Sequence, residues 1–334
     1  MTEQVSTVRD LGEQGLLRLI APYCDRNLVG DDGAVLEVTQ GHKLVVTTDV
    51  LVDRVHFSDR TTDAFSVGYR STAANLSDLA AMGAIPLGIT VGLSLPGDIE
   101  ASWVEQLYQG MNSCVSKFRT SIIGGDITRS QTATVAITAL GEARPEQVIG
   151  RDNAQVGDVI LISGYHGLSR AGLELLLNSQ ADLKIGSASK AQLIQAHQKP
   201  QPRLDVTKLL REIAPDARVA GMDSSDGLGD AIAQICRCSN LGAEINFSAI
   251  PVAPALAELK THYPINDWIL DGGEDFELVL TLELQLAKEL LTKLGEDAAI
   301  IGTITENQEL VINYSDRSIT RKISDLSAGF QHFD

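Results

Sequence analysis

Six short acidic motifs recur along the chain, each setting a carboxylate beside a glycine or a hydroxyl. They are Gly30-Asp31-Asp32-Gly33, Thr47-Thr48-Asp49, Asn75-Leu76-Ser77-Asp78, Gly124-Gly125-Asp126, Asp223-Ser224-Ser225-Asp226-Gly227 and Gly272-Gly273-Glu274-Asp275. One Asp-Gly pair is ordinarily a turn, but six of the same form need a joint explanation. Oxygen donors without imidazole or thiolate suit Mg²⁺ or Ca²⁺ rather than zinc or copper. Calcium is the competing reading, yet no D-x-D-x-D-G loop occurs and the acids come from distant segments. Mg²⁺ takes one or two carboxylates and leaves its other positions to water and phosphate oxygens. Many carboxylates therefore indicate several Mg²⁺ ions around a polyphosphate. A carboxylate about 4 Å from a phosphate repels it by about 4 kcal/mol at an effective dielectric of about 20. Converging acids would reject a nucleotide unless divalent cations reverse the local field. Metal binding and nucleotide binding must then be coupled.

The familiar alternatives are missing. No G-x-x-x-x-G-K-S/T loop, H-R-D or D-F-G segment, or G-x-S-x-G elbow occurs, and the six histidines lack metal-ligand spacing. If the acids converge, the expected chemistry is that of an ATP-using phosphotransferase, in which bound metals would screen two phosphates for in-line transfer and no covalent nucleophile is required.

The elements that must position these residues alternate. In the first half, helices are predicted around Leu11–Tyr23, Ala64–Met82 (closed by Gly83) and Ser102–Lys117. Strands are predicted over Ala34–Val38, Leu44–Thr48, Ile89–Leu95, Ser121–Ile123 and Thr134–Leu140. Gly141–Gly157 mixes Pro, Gly and polar residues and is the best boundary, dividing the chain into domains of residues 1–145 and 146–334. The second half has predicted helices at Ser169–Asn178, within Gly186–Pro202, and at Leu204–Ile213, Leu228–Asn240 and Leu284–Leu294. Its strands fall at Val159–Ile162, Ala243–Phe247, Glu277–Thr281 and Ala299–Ile304. Two α+β halves result. A formal charge of −17 over 334 residues argues against a nucleic-acid binder. No apolar run reaches membrane-spanning length, and Met1–Asp10 is polar. Cys24, Cys114, Cys236 and Cys238 show neither zinc spacing nor a disulfide framework. A cytoplasmic protein is expected.

In order, the motifs read G-D-D-x-A-V, T-T-D-x-L-V-x-x-x-H-F, N-L-S-D-L-A-A-M-G-A-x-P, I-G-G-D-x-T-R, D-x-S-D-G-L and G-G-E-D-F-E-L. This order resembles the thiamine-monophosphate kinases, within the aminoimidazole-ribonucleotide synthetase (PurM-like) superfamily, from about Leu11 to Phe333. The resemblance implies transfer of the ATP γ-phosphate onto thiamine monophosphate. It also implies a homodimer whose N-terminal α/β domains pair their sheets into a barrel-like core, each with a C-terminal α+β domain closing over the nucleotide. By motif, Asp32, Thr47, Thr48, Asp49, Asp78, Asp126, Asp223 and Asp226 become Mg²⁺ ligands. Gly125, Asp126, Arg151 and Ser225 become nucleotide contacts; His56, Glu274 and Phe330 become acceptor contacts. Asp31 reads as a turn former. Asp275 competes with Glu274 for the place opposite the thiazolium. Three departures stand out: Gly33 for alanine, Ser224 for an aliphatic residue, and Phe330, which leaves stacking only. Selenophosphate synthetases and hydrogenase maturation relatives lack support, because Cys24 has no glycine-rich setting and the chain ends Gln331-His332-Phe333-Asp334.

Overall fold

The computed structural model describes residues 6–178 and 183–322; Phe330, expected to contact the acceptor, lies outside them. The described residues fall into two compact units. One holds those up to Leu79 together with Ile85–Ala143, the other Ala80–Ala84 and those from Arg144 onward.

In the first unit the order is α1 (Val8–Ile20), β1 (Lys43–Val52), α2 (Ala64–Ala81), β2 (Ile85–Leu95), α3 (Ala101–Lys117), β3 (Ile122–Arg129) and β4 (Thr134–Ala143). The strands form one sheet in the order β1-β4-β2-β3, with only the β2–β3 pair parallel. Side chains alternate across a strand. Ile89, Val91, Leu93, Val135, Ile137 and Ala139 accordingly line a buried face, while Leu44, Val46 and Val50 of β1 are 49%, 55% and 45% exposed. One face of this sheet is covered by helices and the other stands open. Pro86 is tolerated inside β2 because the register with β4 shifts between Pro86 and Gly88, where a missing N–H costs no ladder bond. Helix α2 is buried nearly throughout. Its approach to α3 needs Gly68, since a Cβ there would lie 1.9 Å from the Leu107 carbonyl oxygen.

Ala34–Val38, expected as a strand, is irregular. Its β-branched composition suits a strand, but among the described residues no strand pairs with it, and Val35 is 86% exposed. Only its end is tied down: the Thr39 amide and hydroxyl both donate to the Glu142 carboxylate at 2.7 Å. β3 runs well beyond the expected Ser121–Ile123, carrying the Gly124-Gly125-Asp126 motif into the sheet.

The second unit comprises β5 (Val159–Ile162), α4 (Leu168–Leu177), α5 (Ser187–Gln198), α6 (Leu204–Ile213), β6 (Ala220–Asp223), α7 (Leu228–Ser239), β7 (Gly242–Asn246), α8 (Pro254–Ala257), α9 (Ile265–Asp271), β8 (Leu278–Leu282), α10 (Leu284–Leu294), β9 (Ala299–Thr305), β10 (Glu309–Asn313) and β11 (Ser318–Lys322). Their strands form a mixed sheet in the order β11-β10-β7-β9-β5-β8-β6. Central β5 is buried along its whole length. Ile160 and Ile162 join Leu175, Leu193, Ile232 and Ile269 in the main core, while α10 packs against β5 and α6. Each expected element here is present: Val159–Ile162, Leu204–Ile213 and Leu284–Leu294 keep their expected ends, α5 falls within Gly186–Pro202, and the others shift by a single residue. The strands β6, β10 and β11 and the short helices α8 and α9 are additions. β6 reads Ala-Gly-Met-Asp, with no β-branched residue, and only its pairing with β8 makes it a strand.

Replacing Gly68 by Ala gains up to about 1 kcal/mol of helix propensity but drives a methyl into backbone. A net loss of about 2 kcal/mol is expected, seen as a lower midpoint of urea unfolding.

Candidate functional site

In the first unit, the site is built where α2 crosses edge strand β1. Asn75 and Asp78 lie three residues apart and so share one helix face. Asn75 Oδ1 accepts the Asp49 amide at 3.0 Å, and its own amide donates to the Ser71 carbonyl at 2.9 Å. Asp78 Oδ2 accepts the Thr47 hydroxyl at 2.5 Å. Thr47, Asp49 and Asp78 are thereby gathered on the covered face. Asn75 was not among the expected site residues, although an Asn in the middle of a buried helix is itself a signal, since its amide competes with the helix backbone.

Thr48 and Asp126 are placed differently. Thr48 turns to the open face, where its hydroxyl shares a hydrogen bond of 2.8 Å with Thr138. Asp126 pairs across Gly92, Ala136 and Val50, which puts it on that same open face. It stands at the opposite edge of the sheet, about 14 Å from β1 at three strand spacings. Gly125 is required by its neighbour as well as by any ligand, because a Cβ there would sit 2.2 Å from the Val91 carbonyl. Asp32 is exposed in a bend. His56 Nδ1 accepts the Val52 amide at 3.1 Å, which leaves the proton of the neutral ring on Nε2.

In the second unit, two motif loops are laced together. The Ser224 amide donates to the Glu277 carbonyl at 2.8 Å and the Glu274 amide to the Ser225 carbonyl at 2.7 Å. The Ser224 hydroxyl accepts the Glu277 amide at 3.2 Å. The serine that departs from the family pattern is therefore satisfied rather than misplaced. Gly273 permits this contact, since a Cβ would meet the Ser225 carbonyl at 2.5 Å. Asp223 is buried at the end of β6, with Ser225 Oγ donating to it at 3.3 Å; Asp226 is exposed. Arg151 donates to Gln234 Oε1 of α7 at 2.6 Å.

Glu274 and Asp275 differ in how they are held. Asp275 accepts the amides of Gly167 at 2.6 Å and Ser169 at 2.9 Å, capping α4. Glu277 is held by the Ser163 hydroxyl and by Arg203 Nη1 at 2.6 Å. Glu274, just ahead of them in the chain, is 35% exposed. Both Glu274 and Phe276 adopt positive φ, 67° and 54°, a conformation that persists in non-glycine residues only when its surroundings impose it.

Among the described residues no three His, Cys, Asp or Glu side chains form a ready metal cluster. The oxygen-only donors fit Mg²⁺, which fills most positions with water and phosphate. No described helix is long and apolar enough to cross a membrane.

Residues 30–143 match the AIR synthase related protein N-terminal domain, and residues 155–315 its C-terminal domain. The chain belongs to that family. It is 49% identical over 330 residues to the thiamine-monophosphate kinase of Synechococcus elongatus, covering 98% of each chain. The thiamine-monophosphate kinase structure from Stenotrophomonas maltophilia superposes with a TM-score of 0.79 at 33% identity, over 89% of this chain and 96% of that one. AaThiL complexed with AMPPCP and TMP superposes with a TM-score of 0.75 at 32% identity, over 97% and 98%. Within the AIR synthase related proteins, the chain is a member of the thiamine-monophosphate kinase family.

The Asp275 carboxyl is pushed up from 3.8 to about 7, chiefly by burial and by the nearby Glu277 charge, against the pull of the main-chain donors at Ser169, Gly167 and Leu168. The folded protein thus holds this proton to higher pH than the unfolded chain does. The stabilising contribution is complete below about pH 4 and is lost as pH rises through about 7. Asp275→Asn cannot titrate. Urea midpoints measured across this range should fall for the wild type relative to the variant.

Proposed function

We propose that this protein transfers the γ-phosphate of ATP directly to the phosphate of thiamine monophosphate, giving thiamine diphosphate and ADP in the cytoplasm. The observation that carries the reading is the 49% identity to a thiamine-monophosphate kinase over 98% of both chains, with the motif residues held in ordered hydrogen-bond networks. Thr47, Asp49 and Asp78, with Asp32, Thr48 and Asp126, are ligands for Mg²⁺ in the first unit; Asp223 and Asp226 are ligands in the second. When bound, Mg²⁺ neutralises the phosphate charge that these carboxylates would otherwise repel. Gly125, Ser225 and Arg151 contact the nucleotide; the Arg151 guanidinium offers a fixed fork of donors suited to phosphate. His56 and Glu274 contact the acceptor, with the carboxylate opposite the cationic thiazolium. All four cysteines are free thiols, and burial pushes Cys114 and Cys236 up to about 12, so neither offers a nucleophile.

A homodimer belongs to the same reading. Asp49 and Asp126 stand at opposite edges of one sheet, too far apart to share an ion within one chain. The open face between them carries Leu44, Val46 and Val50. A second copy seated on that face covers the apolar residues and brings the partner's β3 edge toward β1.

Purified protein with Mg-ATP and thiamine monophosphate should yield stoichiometric thiamine diphosphate and ADP; absence of product across a magnesium titration overturns the reading. Asp49→Asn and Asp78→Asn should each lower kcat/KM by about 100-fold or more, by loss of charge stabilisation, with circular dichroism unchanged. Val46→Glu should convert a dimer to monomer in sedimentation velocity. If ligands are shared between copies, mixing inactive Asp49→Asn and Asp126→Asn chains restores about a quarter of wild-type activity at random re-pairing. If each copy is self-sufficient, mixing restores none.

A further inference from the structure

Behind Glu274 lies a buried ring that the reading above does not use. His197, in the last turn of α5, has Nδ1 3.1 Å from Ser169 Oγ and 4.0 Å from Glu274 Oε2. The His197 side chain is 2% exposed and Ser169 is 1% exposed. Their meeting depends on the close approach of α4 and α5. At Gly172 a Cβ would lie 2.1 Å from the Leu193 carbonyl and 3.0 Å from His197 Cβ, so the backbones touch where a side chain would part them. Ser169 is anchored in turn by its amide, which donates to Asp275 Oδ1 at 2.9 Å. The chain therefore closes a ring of contacts from Glu274 through Asp275 and Ser169 to His197 and back to Glu274. Glu274 itself is fixed in a left-handed conformation with φ 67°.

We infer that His197 is a positioning residue for Glu274, and that the pair sets affinity for the cationic ring of the acceptor rather than for the nucleotide. This deepens the proposed function and rests on Glu274 facing the thiazolium. The physical reason lies in what a neutral imidazole can and cannot do. With its proton on Nδ1, the ring donates to Ser169 Oγ, and the same nitrogen stands 4.0 Å from Glu274 Oε2, beyond hydrogen-bond reach, so the ring acts on the carboxylate as a buried dipole. That orients Glu274 without cancelling its charge. A lysine or arginine at this distance would pair with the carboxylate and compete with the cationic substrate. A leucine would leave the carboxylate to choose among rotamers. Burial keeps water from replacing the ring, and Ser169 keeps the ring from turning.

The test separates substrate affinities. In steady-state assays of the full chain, His197→Leu should raise KM for thiamine monophosphate about fivefold, by loss of the buried dipole that orients the carboxylate. KM for Mg-ATP and kcat should change by less than about twofold, because uniform binding of one substrate is lost. His197→Asn, whose amide nitrogen can take the place of Nδ1, should recover most of the affinity. Ser169→Ala, a smaller perturbation of the core, should shift the same KM in the same direction. In a Glu274→Gln background His197→Leu should add nothing further. Equal rises in both KM values, or additive losses in the double variant, overturn the positioning role. Glu274→Gln with unchanged KM for thiamine monophosphate overturns the placement of Glu274 and this inference with it. Glu274→Gln weakened while His197→Leu and Ser169→Ala bind normally overturns the inference alone.

Discussion

Two hydrogen bonds from a single face of α2 tie the acidic edge of the first unit together. Asn75 takes the amide of Asp49, and Asp78 takes the hydroxyl of Thr47. An edge strand has main-chain donors with no ladder partner, and this one uses the vacancy to fasten a helix. The fastening works only because α2 is itself immobile, buried nearly throughout and pressed against α3 at Gly68. A helix free to slide by one residue would carry Asp78 about 100° around its axis and disperse the cluster. Packing deep in the unit therefore sets the spacing of oxygens at its surface.

The second unit solves the same problem without a helix-to-strand clamp. Its two acidic loops bind each other through main-chain hydrogen bonds, and the side chains flanking Glu274 are committed elsewhere. Asp275 caps α4, and Glu277 is paired with Arg203. Three consecutive acid-bearing positions of similar composition thus acquire three different tasks. The alternation arises because positive φ at Glu274 and Phe276 turns successive side chains in directions that a regular strand would not allow. The buried hydrogen bonds of Asp275 and Glu277 hold the backbone in this conformation, and so set the direction of the partly exposed carboxylate before them.

Much of this was legible in the sequence. The helices over 204–213 and 284–294 follow the apolar period, and the central strand over 159–162 is a short aliphatic run between turn formers. The acidic motifs could be read as candidate oxygen ligands from their residue types and recurrence, and their order carried the family. Other features could not be read locally. Ala34–Val38 has the residues of a strand and lacks a neighbour to pair with. Ala220–Asp223 has poor strand residues and is one because β8 lies beside it. Gly272-Gly273 suggests a turn, yet at Gly273 the need is close backbone contact with Ser225, and the left-handed residues come after the glycines.

The sequence by itself determined the chemistry on offer: hard oxygen donors, no imidazole or thiolate cluster spacing, no Walker loop, and a strongly acidic net charge. These are properties of side chains, independent of where the chain goes. Tertiary structure decided which oxygens stand together. It set Thr47 with Asp78 and turned Thr48 away, put Asp126 at the far edge of the sheet, and chose Glu274 over Asp275 as the exposed carboxylate. Direction and partnership depend on strand register and on contacts between segments remote in sequence, and a motif read along the chain contains neither.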